Sequence, residues 1–268
     1  MRKSLRLLRF YLALAVAACL AGPADAVTIT LYDFEGNDGL NSPVLSEGSF
    51  YVDEGSFGVG PYQGSYQGVL QTIGGVGTGT IESNLGLGNR RIRRIFRQYV
   101  RSAGYSSSRP NQVERGSAFQ ITFDAEAGDV LQFDWNMLSN ELYPGPPADP
   151  DDYDPNVYTD FAYFRLTGAD TAEGTLANVN DGSFSALGAT DYDFETGQQT
   201  TELTLDSGGS YTFTIGIHDV ADNDNNFASA LVFDYFRLLR TPEPGTFGSV
   251  AGGLVAFAWL SRRRRGRC

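Results

Sequence analysis

The segment 211–217, YTFTIGI, decides the fold class. Its larger side chains recur at every second position, at Tyr211, Phe213, Ile215 and Ile217. A period of two places these side chains on one face of a β-strand, whereas a helix would need a period near 3.6. We therefore expect this segment to be a strand that buries one face.

Six other segments share this alternation or are rich in β-forming residues, and they are 28–34, 118–123, 130–135, 161–166, 200–205 and 230–238. Clusters of Gly, Asn and Asp separate them, and no strand–helix–strand rhythm is present. The pattern predicts an all-β body over residues 27–241, built as a jelly-roll-like β-sandwich. Trp135 shares a face with Phe133, so we expect it in the core.

One segment, 89–115, departs from the strand pattern and contains eight of the eleven arginines of the body. Its apolar residues follow a helical spacing, which predicts one short inserted helix that docks on the sandwich. These residues are Ile92, Ile95, Phe96, Tyr99 and Val100. The arginines have two interpretations: a surface for anionic polysaccharide or lipid headgroups, or a helix that neutralises the acidic body.

The charge of the body limits its partners. Residues 27–241 contain eleven Arg, no Lys and 30 acidic residues, a net charge of −19. General nucleic-acid binding needs an excess of basic residues, so this class is excluded. The two cysteines are Cys19 and Cys268, and the body therefore has no disulfide to stabilise it.

The first 26 residues have the features of a secretory signal peptide. Four basic residues precede the apolar run 10–21, and Ala24 and Ala26 occupy positions −3 and −1 of a cleavage site after Ala26. An alternative is lipoprotein processing at Cys19, which follows Val-Ala-Ala.

The last 27 residues have three parts in a fixed order. Pro242, Glu243 and Pro244 form a rigid polar spacer, and an uncharged 16-residue stretch, 245–260, follows it. Four consecutive arginines then occupy 262–265. The stretch predicts a short transmembrane helix whose basic end faces the cytoplasm.

This three-part tail resembles the PEP-CTERM sorting signal of Gram-negative bacteria. Parts of the body, such as 133–136 (FDWN) and 216–220 (GIHDV), also resemble other PEP-CTERM proteins. The resemblance implies processing by an exosortase near residues 242–244. It also implies an exported protein of the outer surface or the biofilm matrix, associated with exopolysaccharide and anchored transiently in the inner membrane.

Catalysis by a histidine base has little support, because His218 is the only histidine and lies in a strand pattern. No nucleophile or phosphate-binding motif accompanies it. A pair of carboxylates, as in glycosidases, stays open as an alternative. We expect a non-enzymatic protein without catalytic residues.

Calcium is the cofactor that the acidic residues favour, because it binds carboxylate and amide oxygens. A first candidate set joins Asp33 and Glu35, after the first strand, to Asp234 in the last strand, and it looks like a structural calcium site of jelly-roll carbohydrate-binding modules. A second candidate set lies at strand ends and comprises Asn140, Glu141, Asp160, Asp219 and Asp222.

Aromatic side chains offer a further route to carbohydrate, because they stack on the apolar faces of sugar rings. Tyr51, Phe57, Tyr62 and Tyr66 lie in a Gly-rich stretch, 49–68, which we expect to be an exposed loop. A lectin-like carbohydrate-binding module is therefore an alternative to a matrix protein without sugar specificity.

The sorting hypothesis predicts that Glu243→Ala, or deletion of 242–268, changes how the protein associates with the cell. The reason is that the exosortase would lose its recognition motif, or the motif together with the membrane stretch. Fractionation of cells that express each variant measures the change. Unchanged surface localisation of both variants would contradict the hypothesis.

Overall fold

The computed structural model describes residues 27–35, 44–55, 57–102, 113–140, 160–179, 184–188, 191–220 and 228–240. The chain divides into two compact units, 29–238 and the joined segments 1–28 and 239–268. Of the second unit, only residues 27, 28, 239 and 240 are described. The following account concerns the unit 29–238.

Strands dominate the described residues, and two helices interrupt them. The elements are β1 (Val27–Tyr32), β2 (Val44–Glu47), β3 (Ser49–Asp53), β4 (Gln67–Gln71), β5 (Val76–Gly77), α1 (Thr78–Asn84), α2 (Arg91–Ser102), β6 (Val113–Ala125), β7 (Val130–Ser139), β8 (Phe161–Gly168), β9 (Ala172–Asn178), β10 (Ser185–Ala186), β11 (Phe194–Glu195), β12 (Gln199–Thr204), β13 (Gly209–Val220) and β14 (Ser229–Arg240).

The strands form two sheets. Sheet A has eight strands in the order β10-β11-β7-β14-β4-β3, with β12 also paired to β7 and β1 also paired to β14. Sheet B has six strands in the order β2-β6-β13-β8-β9, with β5 also paired to β6. In sheet B, β13 runs antiparallel to both of its neighbours.

The connectivity of the longer strands is that of a jelly roll. The set β4-β14-β7-β12 of sheet A faces the set β6-β13-β8-β9 of sheet B. Along the chain, these strands alternate between the sheets, except at the β8–β9 hairpin. Two Greek keys that interleave in this way define the jelly-roll topology. The predicted β-sandwich is therefore confirmed.

The core between the sheets is rich in phenylalanine. The ring centroids of Phe119 and Phe233 lie 5.2 Å apart, and those of Phe133 and Phe213 lie 4.8 Å apart, which joins the two sheets. Trp135 belongs to the same buried cluster, as predicted. The four alternating residues of 211–217 are fully buried in it, so the stripe that predicted the fold faces the core.

The predicted helix is α2, and it packs on the outer face of sheet B. Ile92, Ile95, Phe96 and Val100 are buried there in one cluster with Phe161 and other residues of sheet B. The expectation of a single helix is wrong, because α1 precedes it. With seven residues that include Gly79, α1 has low intrinsic propensity, and tertiary contacts stabilise it instead.

Glu82 of α1 supplies one of these contacts. Its carboxylate accepts hydrogen bonds from the backbone N–H groups of Arg90, at 2.7 Å, and Ile92, at 2.9 Å. It therefore satisfies donors at the start of α2 that have no partner within the helix. No sequence pattern within α1 indicates this role.

The Gly-rich stretch 49–68 is more ordered than expected. It contains β3 and the beginning of β4, which pair antiparallel. Phe57 is buried with Tyr192 in a cluster on the outer face of sheet A, so it is not an exposed sugar-stacking residue. Tyr62, in contrast, is 43% exposed.

The predicted signal peptide (1–26, with Ala24 and Ala26), the motif Pro242, Glu243 and Pro244, and the apolar stretch 245–260 lie outside the described residues. Among the residues that are described, no helix is long and apolar enough to cross a membrane.

The contact of Gly216 with Tyr163 yields a stability prediction. A Cβ atom at Gly216 would lie 2.6 Å from Cε1 of the fully buried Tyr163, beneath the helices. We expect Gly216→Ala to lower the free energy of unfolding by about 1–3 kcal/mol, because the ring has no space to move into. Urea denaturation measures the change.

Gly79→Ala is the matched control, because a Cβ atom there would meet nothing within 4 Å. In a helix this change should be neutral or stabilise by up to about 1 kcal/mol. An equal loss of stability in both variants would show that Tyr163 is not tightly packed on Gly216.

Candidate functional site

The backbone of Tyr235 creates the candidate site. Its φ of 52° lies in the left-handed region, which is uncommon for a residue other than glycine. Residues three apart in a regular strand point to opposite faces. Here Phe233 and Phe236 are both buried in the core, and Asp234 and Arg237 both face outward. The irregularity thus places an acidic side chain, Asp234, and a basic side chain, Arg237, on the same outer face of sheet A.

A small open depression lies on this outer face, with a volume of about 220 Å³ that includes space open to solvent. We call it the groove. Its lining consists of Val59, Gly60, Tyr62, Gln67, Asp134, Trp135, Asn136, Gln198, Val232, Phe233 and Asp234. The lining combines aromatic, amide and carboxylate side chains, so it offers both apolar and polar contacts at an open surface.

Asp134 is the centre of a polar network at the groove. It is only 2% exposed, and both of its oxygens are used: Thr200 Oγ1 donates at 2.5 Å and Arg237 donates at 2.9 Å. Arg237 also donates through Nε to Gln132 Oε1. Gln132 in turn donates to Glu202 at 2.6 Å. The network fixes the orientation of each polar group before any ligand arrives.

Two tyrosines flank the guanidinium group of Arg237. Its Cζ lies 4.4 Å from the ring centroid of Tyr235 and 5.9 Å from that of Tyr62. Both distances are within the range of cation–π interaction. The exposed ring of Tyr62 therefore stands beside a fixed positive charge.

Amide side chains complete the groove. Asn136 donates to Glu195 at 2.7 Å and accepts from Thr196 Oγ1 at 3.1 Å. Gln67 donates to the carbonyl of Val59 at 2.8 Å. Gln198 is exposed, and among the described residues its side chain makes one long contact of 3.4 Å, to the carbonyl of Gly60. Gln198 is thus the amide of the lining with the most capacity to exchange a protein contact for a ligand.

Asp234 is a buried carboxyl group at the edge of this network. It accepts hydrogen bonds from the N–H groups of Gln63, at 3.1 Å, and Tyr235, at 2.7 Å. Burial raises its pKa to about 6, although these two hydrogen bonds oppose the shift. The negative charges of Asp134 and Glu35 raise the pKa further.

In the described structure, the carboxylates of the first candidate calcium set accept hydrogen bonds from backbone N–H groups. Glu35 accepts from the N–H groups of Ser65, at 2.6 Å, and Tyr66, at 2.9 Å. Asp33 accepts from the N–H of Glu35 at 3.2 Å. Glu35 and Asp234 therefore both bind the backbone of residues 63–66, next to Tyr62.

The second candidate calcium set is only partly described, because Glu141 and Asp222 lie outside the described residues. Asn140 follows β7, and its side chain contacts the backbone of Asp191 and Asp193 at 2.7 and 2.8 Å. Asp160 is buried before β8, and Asp219 lies in the neighbouring strand β13. Within the described part of the chain, no group of three or more His, Cys, Asp or Glu side chains is placed to hold a metal ion.

The environment of His218 does not suit a catalytic base. It is fully buried under the helices, 5.5 Å from the ring of Tyr163 and 6.0 Å from that of Phe161. Neither ring nitrogen has a hydrogen-bond partner among the described residues. Burial lowers the pKa of the imidazole to about 3, so the ring is neutral at physiological pH.

Most residues of the groove were not identified as site residues from the sequence. Asp134 and Asn136 occupy alternate positions of a strand, where polar residues are expected on a solvated face. Their presence within a strand is itself a signal of a site, because Asp and Asn are depleted within strands. The role of Arg237 had no such signal, since it depends on the irregular backbone at Tyr235.

Comparison with known proteins does not place this chain in a family. No protein-family model matches the chain, and no curated protein matches it. Among solved structures, TmCBM61 in complex with β-1,4-galactotriose has 10% sequence identity and a TM-score of 0.37, and the match covers 79% of this chain and 97% of that chain.

Two further solved structures are similar at the same level of identity. The family 11 carbohydrate-binding module from Clostridium thermocellum, with a mixed-linked tetrasaccharide, has 10% identity, a TM-score of 0.29 and coverage of 82% and 99%. Botulinum neurotoxin type C, whose cell entry depends on two ganglioside molecules, has 10% identity, a TM-score of 0.35 and coverage of 83% and 50%. Scores this low do not assign a ligand to this chain.

The raised pKa of Asp234 predicts a pH-dependent contribution to stability. The folded-state pKa of about 6 exceeds the ordinary value of 3.8, so the stabilisation is complete below pH 3.8 and is lost as the pH rises through 6. We expect the difference in Tm between the wild type and Asp234→Asn to fall by about 2–4 °C from pH 4 to pH 7, after allowance for solvent screening.

Calorimetric melting of both proteins across this pH range measures the difference. A constant difference would mean that Asp234 does not titrate between pH 4 and pH 7 in the folded protein.

Proposed function

We propose that this protein binds carbohydrate, without cleaving it, in the groove on the outer face of sheet A. The single observation that carries the proposal is the pairing of the exposed Tyr62 ring with the fixed network around Asp134 and Arg237. This arrangement offers a stacking surface and oriented hydrogen-bonding groups within one small depression.

Sugars present these two kinds of surface. The C–H groups of a pyranose face are apolar and pack on an aromatic ring. The hydroxyl groups at its edge both donate and accept, so charged and amide side chains bind them in pairs. Tyr62 supplies the ring, and Gln198 supplies an adjacent polar group in the lining.

The carboxylates of the groove favour binding over hydrolysis. Glycoside hydrolysis needs one carboxyl group to donate a proton and another to act as base or nucleophile. Both oxygens of Asp134 already accept from Thr200 and Arg237, and Asp234 is held by two backbone N–H groups. The raised pKa of Asp234 is the one feature that an acid catalyst would share.

Export and sorting belong to the same proposal. A protein that binds carbohydrate outside the cell is consistent with the predicted signal peptide and with a tail that an exosortase would process. Its partner would then be an exopolysaccharide of the cell surface or the biofilm matrix.

Structural calcium also stays a proposal. Its first candidates are Asp33, Glu35 and Asp234. Its second candidates are Asn140, Asp160 and Asp219, which would need Glu141 or Asp222 to complete a set of oxygen ligands.

The proposal predicts that the purified protein binds a neutral oligosaccharide on a glycan array. Titration calorimetry with the best ligand should show that Tyr62→Ala and Gln198→Ala each weaken affinity about tenfold or more, because one stacking or hydrogen-bonding group is lost. The melting temperature should not change, since both side chains are exposed.

Ile73→Ala is the matched control, because Ile73 is also 43% exposed but does not line the groove. Its affinity should equal that of the wild type. Loss of affinity in all three variants, or in none, would contradict binding in the groove. Release of reducing ends from the ligand, abolished by Asp234→Asn, would favour a glycan-active enzyme instead.

A further inference from the structure

The exposed side of α2 carries a row of arginines that the carbohydrate groove does not use. We call Arg90, which precedes α2, and Arg93, Arg94, Arg97 and Arg101 within it the arginine face. None of these five forms an ion pair with a described residue, whereas Arg91 pairs with Glu173 at 3.1 Å. The Nε atoms of Arg93 and Arg97 are buried without a hydrogen-bond partner.

The idea that this helix neutralises the acidic body does not explain the arginine face. The acidic side chains next to it are already occupied. Glu82 accepts the N–H groups of Arg90 and Ile92, and Glu173 is shared by Arg91 and Arg165. Among the described residues, no acid therefore forms an ion pair with the arginine face.

This concentration of charge opposes the stability of the helix. Arg93, Arg97 and Arg101 are spaced at i and i+4, where like charges repel. The first turn contains no acidic residue, so basic residues lie at the positive end of the helix dipole. A bound anion would relieve both effects.

We propose that the arginine face binds an acidic polysaccharide, a linear polymer that carries carboxylate groups. Arg93, Arg97 and Arg101 follow one another at about one helical turn, roughly 5–6 Å, and thus form a row that suits a linear chain of charges. The guanidinium group also matches a carboxylate through two parallel hydrogen bonds.

A membrane surface fits less well, because α2 has no free apolar side. A helix that lies on a bilayer inserts its apolar residues between the lipids. In this protein, Ile92, Ile95 and Phe96 are at most 3% exposed and pack on sheet B. Only the charged side of α2 is available to a partner.

A nucleic acid also fits less well than a polysaccharide. Double-stranded DNA has one negative charge per about 1.7 Å of its axis, and the net charge of 27–241 is −19. A polymer with fewer charges along its length is repelled less by the rest of the surface. The arginine face lies on sheet B and the groove on sheet A, so this inference goes beyond the proposed groove function and does not depend on it.

Binding of the full-length protein to sodium alginate, a polymer of uronic acids, tests the proposal. We expect binding in 50 mM NaCl that falls at least tenfold in 500 mM NaCl. The variant Arg93→Gln/Arg97→Gln/Arg101→Gln should bind at least tenfold more weakly than the wild type, with an unchanged or higher melting temperature because like-charge repulsion is reduced.

A second variant separates the arginine face from the total charge. Thr30→Glu/Thr204→Glu/Ser210→Glu lowers the net charge by the same three units at exposed positions outside α2. It should retain most of the affinity for alginate. A loss equal to that of the arginine variant would overturn the proposal, because any added negative charge would then suffice.

Other ligands and a groove variant complete the experiment. Dextran, which is neutral, should not bind at the arginine face, and Tyr62→Ala should bind alginate as the wild type does. The proposal is overturned if Tyr62→Ala abolishes alginate binding, or if the arginine variant retains wild-type affinity. Binding to vesicles with 30% anionic lipid or to single-stranded DNA, with none to alginate, would also overturn it. If no neutral glycan binds on the array, the expected results with alginate do not change. The proposal for the groove and the proposal for the arginine face can therefore fail independently.

Discussion

The left-handed backbone of Tyr235 is the constraint on which the candidate groove depends. A non-glycine residue in this conformation costs on the order of 1–3 kcal/mol. Asp234 accepts from the N–H of Tyr235, and the Tyr235 ring lies against Arg237, so local contacts offset part of the cost. The change of face also allows Phe233 and Phe236 to enter the same core. The core positions of Phe233 and Phe236 and the outward positions of Asp234 and Arg237 therefore have one cause.

The two outer faces of the sandwich use charge in opposite ways. On sheet A, the charges of Asp134 and Arg237 neutralise each other within a buried and rigid network. On sheet B, α2 covers the sheet with its apolar side, and most arginines on its other side form no ion pair with a described residue. A preorganised neutral network suits a neutral, hydroxyl-rich ligand, whereas unpaired cations suit an anionic polymer. If both proposals hold, the two faces contact two kinds of glycan without competition between them.

The fold could be predicted from simple periodicities in the sequence, but the groove could not. The alternation in 211–217 predicted β13, and the helical spacing of Ile92, Ile95 and Phe96 predicted α2, because burial of one face imposes both periods. Tyr235 could not be identified, since glycine is the usual residue at a positive φ. The helix α1 was missed because tertiary contacts outweigh its weak propensity. The calcium sets stay predictions, because a loop carboxylate can bind either a backbone N–H group or a metal ion and the sequence pattern does not distinguish the two.

The most direct test of the central claim is a map of the amide chemical shifts of the protein during titration with a neutral oligosaccharide. If the groove is the binding site, the largest shift changes occur at Gly60, Tyr62 and Gln198 and saturate together. The chemical shifts of the α2 amides do not change. Changes confined to α2, or an absence of saturable changes at the groove at millimolar ligand, would contradict the account.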